Sequence, residues 1–193
     1  MAYSIITPNS ELEAVNEILS AVGAPPTNSL DDENNLDIIN AKAMLNRVSR
    51  EVQSRGWDFN IRENVTLPSD VFSQKVAYSS NYLRVIGSEY KLINQDGYFF
   101  DKDNRTFKFP NGITLSKLIV EESFSNLPTI IRKYITCRSA RIFQSRYFGS
   151  PELDAELQNA EAEAKADLLD YELEYGGYNI FSSDSYISDA ISR

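Results

Sequence analysis

A chain of 193 residues is long enough to bury a core of its own, and it fits one domain with room for an insertion. Its 28 acidic side chains outnumber 19 basic ones for a net charge of −9, which argues against gripping nucleic acid by phosphate neutralisation. There is no histidine, which removes Ser–His and Cys–His nucleophile pairs, histidine-containing zinc sites and imidazole acid–base chemistry.

The single cysteine, Cys137, cannot form an internal disulfide, so the expected setting is a reducing cytoplasm. No apolar run approaches the ~20 residues of a membrane-spanning helix. Met1–Ser10 lacks the basic-then-apolar order of a secretory signal, so none is expected.

Ser10 and Glu13 have the spacing of a capping box, and Leu12, Val15, Leu19 and Val22 follow at helical steps. Gly23, Pro25 and Pro26 stop this first helix. A polar loop leads to a second helix over Leu36–Arg55, with Ile38, Ala41, Leu45, Val48 and Val52 on its apolar face and Gly56 as its left-handed cap.

From Trp57 to Asn126 the pattern changes to short β-like runs. Phe59 and Ile61 alternate with polar neighbours. Tyr90–Ile93 and Tyr98–Phe100 flank a turn at Asn94–Gly97, and Thr106–Phe109 meets Asn111–Gly112 before Ile113–Val120. An antiparallel sheet is expected, with helical or irregular structure near 69–82.

Pro128 opens a third helix ending near Phe148–Gly149. Its apolar residues Ile131, Ile135, Ile142, Phe143 and Tyr147 do not share one stripe, the pattern of a helix packed between neighbours. Ser150–Pro151 starts a fourth helix that Gly176–Gly177 ends. Leu153, Leu157, Ala160, Ala164, Leu168, Tyr171 and Tyr175 form its apolar arc, flanked by Glu152, Glu156, Glu163, Asp167, Asp170 and Glu174. Residues 127–149 hold Arg132, Lys133, Arg138, Arg141 and Arg146 and no acid, whereas 150–175 are strongly acidic. These adjacent helices are therefore expected to pair, with Arg132, Arg138, Arg141 and Arg146 facing the acidic one.

The expected class is α+β: a four-helix bundle of residues 1–56 and 127–175, an antiparallel β insertion over 57–126, and an extended C-terminal arm over 176–193. In that arm Tyr178, Ile180, Phe181, Tyr186, Ile187 and Ile191 are too apolar for a free solvated tail and read as docking residues.

Other signals point to ordinary structure. Asp31, Glu33, Asn35 and Asp37 alternate like a calcium loop, but Leu36 stands where the glycine belongs and Lys42 where the bidentate glutamate belongs. Pairs such as Asp101/Asp103 and Glu121/Glu122 are what 28 acids produce without any glycosidase chemistry. Cys137, mid-helix among apolar neighbours, reads as a packed thiol, and Trp57 beside Gly56 as a core anchor at a helix–strand junction.

Four stretches, Glu11–Pro26 (ELEAVNEILSAVGAPP), Gln53–Ile61 (QSRGWDFNI), Phe148–Glu152 (FGSPE) and Tyr171–Asn179 (YELEYGGYN), resemble the tail tubular protein A family of short-tailed phages. The likeness runs through most of the chain in order; it is weakest over Tyr90–Phe109 and the last fifteen residues. It implies a non-enzymatic head-to-tail adaptor of the virion tail, assembled in the host cytoplasm, with no cofactor. It further implies a twelve-membered ring between portal and nozzle (tail tubular protein B), near the tail-fibre attachment region, with DNA passing through unbound by sequence and no membrane contact. Glu156, Glu163, Asp167 and Asp170 would then supply negative potential to the lumen or to a subunit interface. The competing class is a polysaccharide- or peptidoglycan-degrading virion hydrolase.

Overall fold

The computed structural model describes residues 7–31 and 35–175 of the chain. The fold is α+β. Its described residues form two compact units, one from the segments up to Val48 and from Leu127 onward, the other from Ser49–Asn126.

In the first unit, α1 (Glu11–Ser20) begins as the sequence predicts, with the Ser10 Oγ accepting from the Glu13 amide at 3.2 Å. The reciprocal half of the box is displaced by one residue: the Glu13 carboxylate accepts from the Asn9 amide at 2.7 Å. The helix closes with Gly23 N–H to Ser20 carbonyl and Ala24 N–H to Leu19 carbonyl bonds, both 3.0 Å. Its buried stripe is Ala14, Val15, Ile18 and Leu19; Leu12 and Val22, expected on one face with Val15 and Leu19, are only half-buried. Past the two prolines the chain is tied back to α1, where the Asn16 amide exchanges two hydrogen bonds with the Thr27 backbone.

The second helix, α2 (Leu36–Gln53), is capped by Asn35, whose Oδ1 accepts from the Asp37 amide at 3.1 Å. That residue of the calcium-like run thus has a structural task. α2 buries Ile38, Ala41, Met44, Leu45 and Val48 in the first unit.

Helix α3 (Thr129–Tyr147) packs against α1 and, antiparallel, against α4 (Pro151–Tyr175). Contact on two sides explains why its apolar residues form no single stripe. Pro128 is its N-cap, one position earlier than expected. The turn into α4 is held by the buried Gln144, whose Nε2 donates to the Ser150 carbonyl at 2.9 Å. Ser150 in turn caps α4.

The second unit contains an antiparallel sheet ordered β1 (Ile61–Leu67), β5 (Ile113–Val120), β2 (Tyr82–Ile86), and a hairpin of β3 (Leu92–Gln95) and β4 (Tyr98–Asp101). The hairpin turn is tighter than expected: only Asp96 and Gly97 form it, at φ 53° and 77°, the type I′ geometry that matches strand twist. Val76, Phe99, Phe109, Ile113, Leu115 and Leu118 form the core.

Two expectations fail here. Thr106–Phe109 is not a strand, because Thr106 only bridges back to Asp101 and the Phe109 amide is bonded to the Gln74 carbonyl at 2.7 Å. The Asn111–Gly112 turn therefore leads into β5 without making a hairpin, and β5 pairs with β1 and β2 instead. Phe59 lies in a 3-10 turn, Asp58–Asn60, rather than in a strand.

The neck of this unit explains the Gln53–Ile61 stretch. Buried Gln53 exchanges two hydrogen bonds with the Glu122 backbone, at 2.8 and 3.0 Å. Buried Asn60 donates to the carbonyls of Gln53 and Val120 and accepts from the Trp57 amide at 2.8 Å. The Trp57 indole donates to the Val52 carbonyl at 2.7 Å. Gly56 has φ 82°, and a Cβ there would lie 2.6 Å from the Ile119 Cδ1, so a side chain is excluded by strain and by space. Arg50–Glu121 at 2.6 Å and Arg62–Glu122 at 2.7 Å close the outer side. The incoming and outgoing strands of the unit are thus fastened by buried amides.

Asn60→Asp should therefore lower stability by about 2–4 kcal/mol, because a carboxylate would face two carbonyl oxygens that now accept its N–H groups. Urea unfolding followed by circular dichroism measures this; a change within about 0.5 kcal/mol would contradict the role given to Asn60.

Candidate functional site

The most strongly organised polar surface among the described residues is the seam between α3 and α4. Along α4, Leu157, Ala164 and Leu168 are fully buried at steps of seven and four, and Glu161 sits among them on the same stripe. The Glu161 side chain is only 12 % exposed, and it accepts from Arg138 at 3.0 Å and Arg141 at 3.2 Å. Arg141 also reaches Asp154 at 3.1 Å. On the opposite side of the seam Lys133 holds Asp167 at 2.9 Å and Glu163 at 3.7 Å. Two rails of charge thus flank the apolar contact and fix its register, since sliding either helix along the other would break several of these pairs at once.

The environments move the titrations accordingly. The hydrogen bond to Asp167 raises the Lys133 pKa above its ordinary value, and the bond to Asp154 does the same for Arg141. For a raised base, this stabilisation is complete below the ordinary lysine range and is lost only as pH climbs through the raised pKa. Cys137, fully buried, has its thiol pushed up to about 12, chiefly by burial. It is a packing group with almost no thiolate at neutral pH.

The structure divides the basic residues expected to face α4. Arg138 and Arg141 do so, joined by Lys133. Arg132 instead donates to the Asn9 carbonyl at 2.6 Å and to Thr129 at 3.1 Å, because its position on α3 turns it toward the start of α1. Arg146 is exposed at the end of α3 and makes no ion pair among the described residues. With Arg138, Arg141, Ile142, Ser145, Asp154 and Glu161 it lines a groove of about 380 Å³.

Of the four acids singled out on α4, Glu163 and Asp167 are engaged by Lys133, while Glu156 and Asp170 are exposed. Asp154 and Glu161 were missed. Their signal was present: at positions 154, 157, 161, 164 and 168 the acids share the spacing of the apolar contact residues. The docking residues Tyr178, Ile180, Phe181, Tyr186, Ile187 and Ile191 lie outside the described residues.

The acid pairs Asp101/Asp103 and Glu121/Glu122 have structural tasks. Buried Asp101 accepts from the Asp103 amide and the Asn104 side chain, Asp103 pairs with Lys91 at 3.2 Å, and Glu121 and Glu122 hold Arg50 and Arg62. Elsewhere in the second unit, the Asp70 carboxylate closes a loop by accepting from the amides of Phe72 and Ser73 and from the Ser73 hydroxyl. These bonds hold its pKa below the usual value, the Ser73 amide most of all. The loop presents Val71 and Phe72 at 84 % and 97 % exposure. No helix among the described residues is long and apolar enough to cross a membrane.

Replacing Glu161 by alanine should cost about 1–3 kcal/mol, since two confined guanidiniums lose their shared acceptor, whereas Glu156→Ala should stay within about 0.5 kcal/mol. Equal effects in thermal unfolding would contradict the seam's role. Cys137 should resist a maleimide in the folded protein and react once the chain is unfolded in urea; rapid native labelling would contradict its burial.

No curated protein sequence matches the chain significantly. The family model for tail tubular protein, however, matches residues 12–178, which includes α1 but for its first residue, α2 to α4, both described sheets and the neck. The chain belongs to the tail tubular protein family and is a structural component of a phage tail.

Proposed function

We propose that this protein is the head-to-tail adaptor of a short-tailed phage, forming a closed ring of about twelve copies between the portal and the nozzle, tail tubular protein B. The observation that carries the reading is the family match over residues 12–178. In this reading the helices within 1–56 and 127–175 act together as a bundle, and the β segment within 57–126 is its insertion. Genome DNA passes through the ring without sequence-specific contact. The net charge of −9 suits a conduit that must not retain phosphates. Exposed apolar side chains at Val71, Phe72, Tyr147, Phe148, Leu169 and Leu173 are surfaces that an assembled tail would cover. The outer face of the ring contributes to tail-fibre attachment.

The segment 176–193 is an arm that docks on the portal or on an adjacent copy. Burying each of its large apolar side chains is worth ~1.5–3 kcal/mol, enough for a few together to offset its ordering. Hydrolysis of a wall polymer is the competing activity. It is disfavoured because the paired acids named above serve the fold.

Mass measurement of the complex with portal should give about twelve copies per ring. A chain lacking residues 178–193 should stay folded and helical yet join portal at least tenfold more weakly, about 1.4 kcal/mol. A protein that stays monomeric and never binds portal would overturn the adaptor reading; a truncated chain that binds as tightly as the full one would overturn only the arm.

A further inference from the structure

The α3–α4 pair carries opposite charge character on its two flanks. Taking Leu157 as the centre of the buried stripe and ~100° per residue, Asp154 and Glu161 fall about 40–60° to one side. The groove with Arg138, Arg141 and Arg146 lies on that side. Glu152, Glu156, Glu163, Asp167, Asp170 and Glu174 fall about 80–140° to the other side. Three guanidiniums against two carboxylates leave the groove cationic, with Arg146 the member that makes no ion pair among the described residues. On the acidic flank Lys133 compensates Glu163 and Asp167, and among the described residues Glu152, Glu156, Asp170 and Glu174 remain as exposed acid. Ile142 in the groove and the exposed Tyr147 beside it supply apolar area.

From this charge complementarity we infer that the groove receives the acidic flank of α4 from a second copy of this chain, with Arg146 set against that copy's Glu156. Each chain carries both halves on different faces, which is the requirement for a heterologous contact that repeats and closes. Glu156 lies between Asp154 and Glu161 along the helix, so it stands at the height of the groove; Asp170 is ~20 Å further along. Copies related by rotation keep their heights when α4 runs along the ring axis, which selects Glu156 over Asp170. The inference rests on the ring reading above and assigns the acidic flank to subunit contact rather than to the lumen.

The test is charge reversal on exposed side chains, with circular dichroism melting to verify folding and sedimentation to read self-association, alone and on portal. Arg146→Glu and Glu156→Arg should each weaken association about tenfold or more, because like charges then meet. The two variants mixed should associate again, since each reversed groove meets a reversed flank. Wild-type association should also weaken as salt rises. If the wild type assembles and either variant assembles equally well, or the mixture fails to recover, the groove assignment is wrong and the ring reading stands. A wild type that never associates overturns both.

Discussion

Glu161 accepting from both Arg138 and Arg141 is the contact around which the helical unit is organised. It lies on the buried stripe of α4, where an uncompensated carboxylate would be costly, so α4 can seat against α3 only in the register that supplies both guanidiniums. That register places Lys133 against Asp167 at one end and Arg141 against Asp154 at the other. With α3 held there, its remaining face is free to bury against α1. Acids that have an α3 cation at their own height along the helix are engaged, as Glu163 and Asp167 are by Lys133, and Glu156 and Asp170 are left to the surface.

The second unit uses a different device for the same purpose. Its chain enters and leaves side by side, and buried side-chain amides of Gln53 and Asn60 join the two passages, with the more exposed Arg50–Glu121 and Arg62–Glu122 pairs outside them. Neutral amides match backbone groups at little desolvation cost, and each amide here both donates and accepts. The residues of the QSRGWDFNI stretch therefore have definite structural tasks: Gln53 and Asn60 fasten, Trp57 anchors, and Gly56 makes room for Ile119.

Much of this was legible in the sequence. The helices, their caps and stops and the charge contrast between α3 and α4 rest on local spacing, which a single chain displays. The sheet order was not legible, because Thr106–Phe109 and Ile113–Val120 have the appearance of a hairpin. A long-range amide bond from Phe109 to Gln74 decides otherwise. Similarly, Arg132 and Arg146 look equivalent to Arg138 and Arg141 as members of a basic helix. Angular position about α3 turns Arg132 toward Asn9, and Arg146, on the groove side with Arg138 and Arg141, is left exposed at the helix end. Asp154 and Glu161 were legible in principle, had acids at contact spacing been weighed with the apolar residues around them.

In the proposed ring, a helix pair with a cationic groove on one flank meets acid on the flank of the next copy, so the most direct measurement links those flanks covalently. In a Cys137→Ala chain carrying Arg146→Cys and Glu156→Cys, a short bis-maleimide should join copies in assembled tails into a ladder of multimers, ending at the ring's full copy number. Single-cysteine chains should give no ladder. Ladders absent from double-cysteine chains that still assemble would contradict the account, as would products that stop at the dimer.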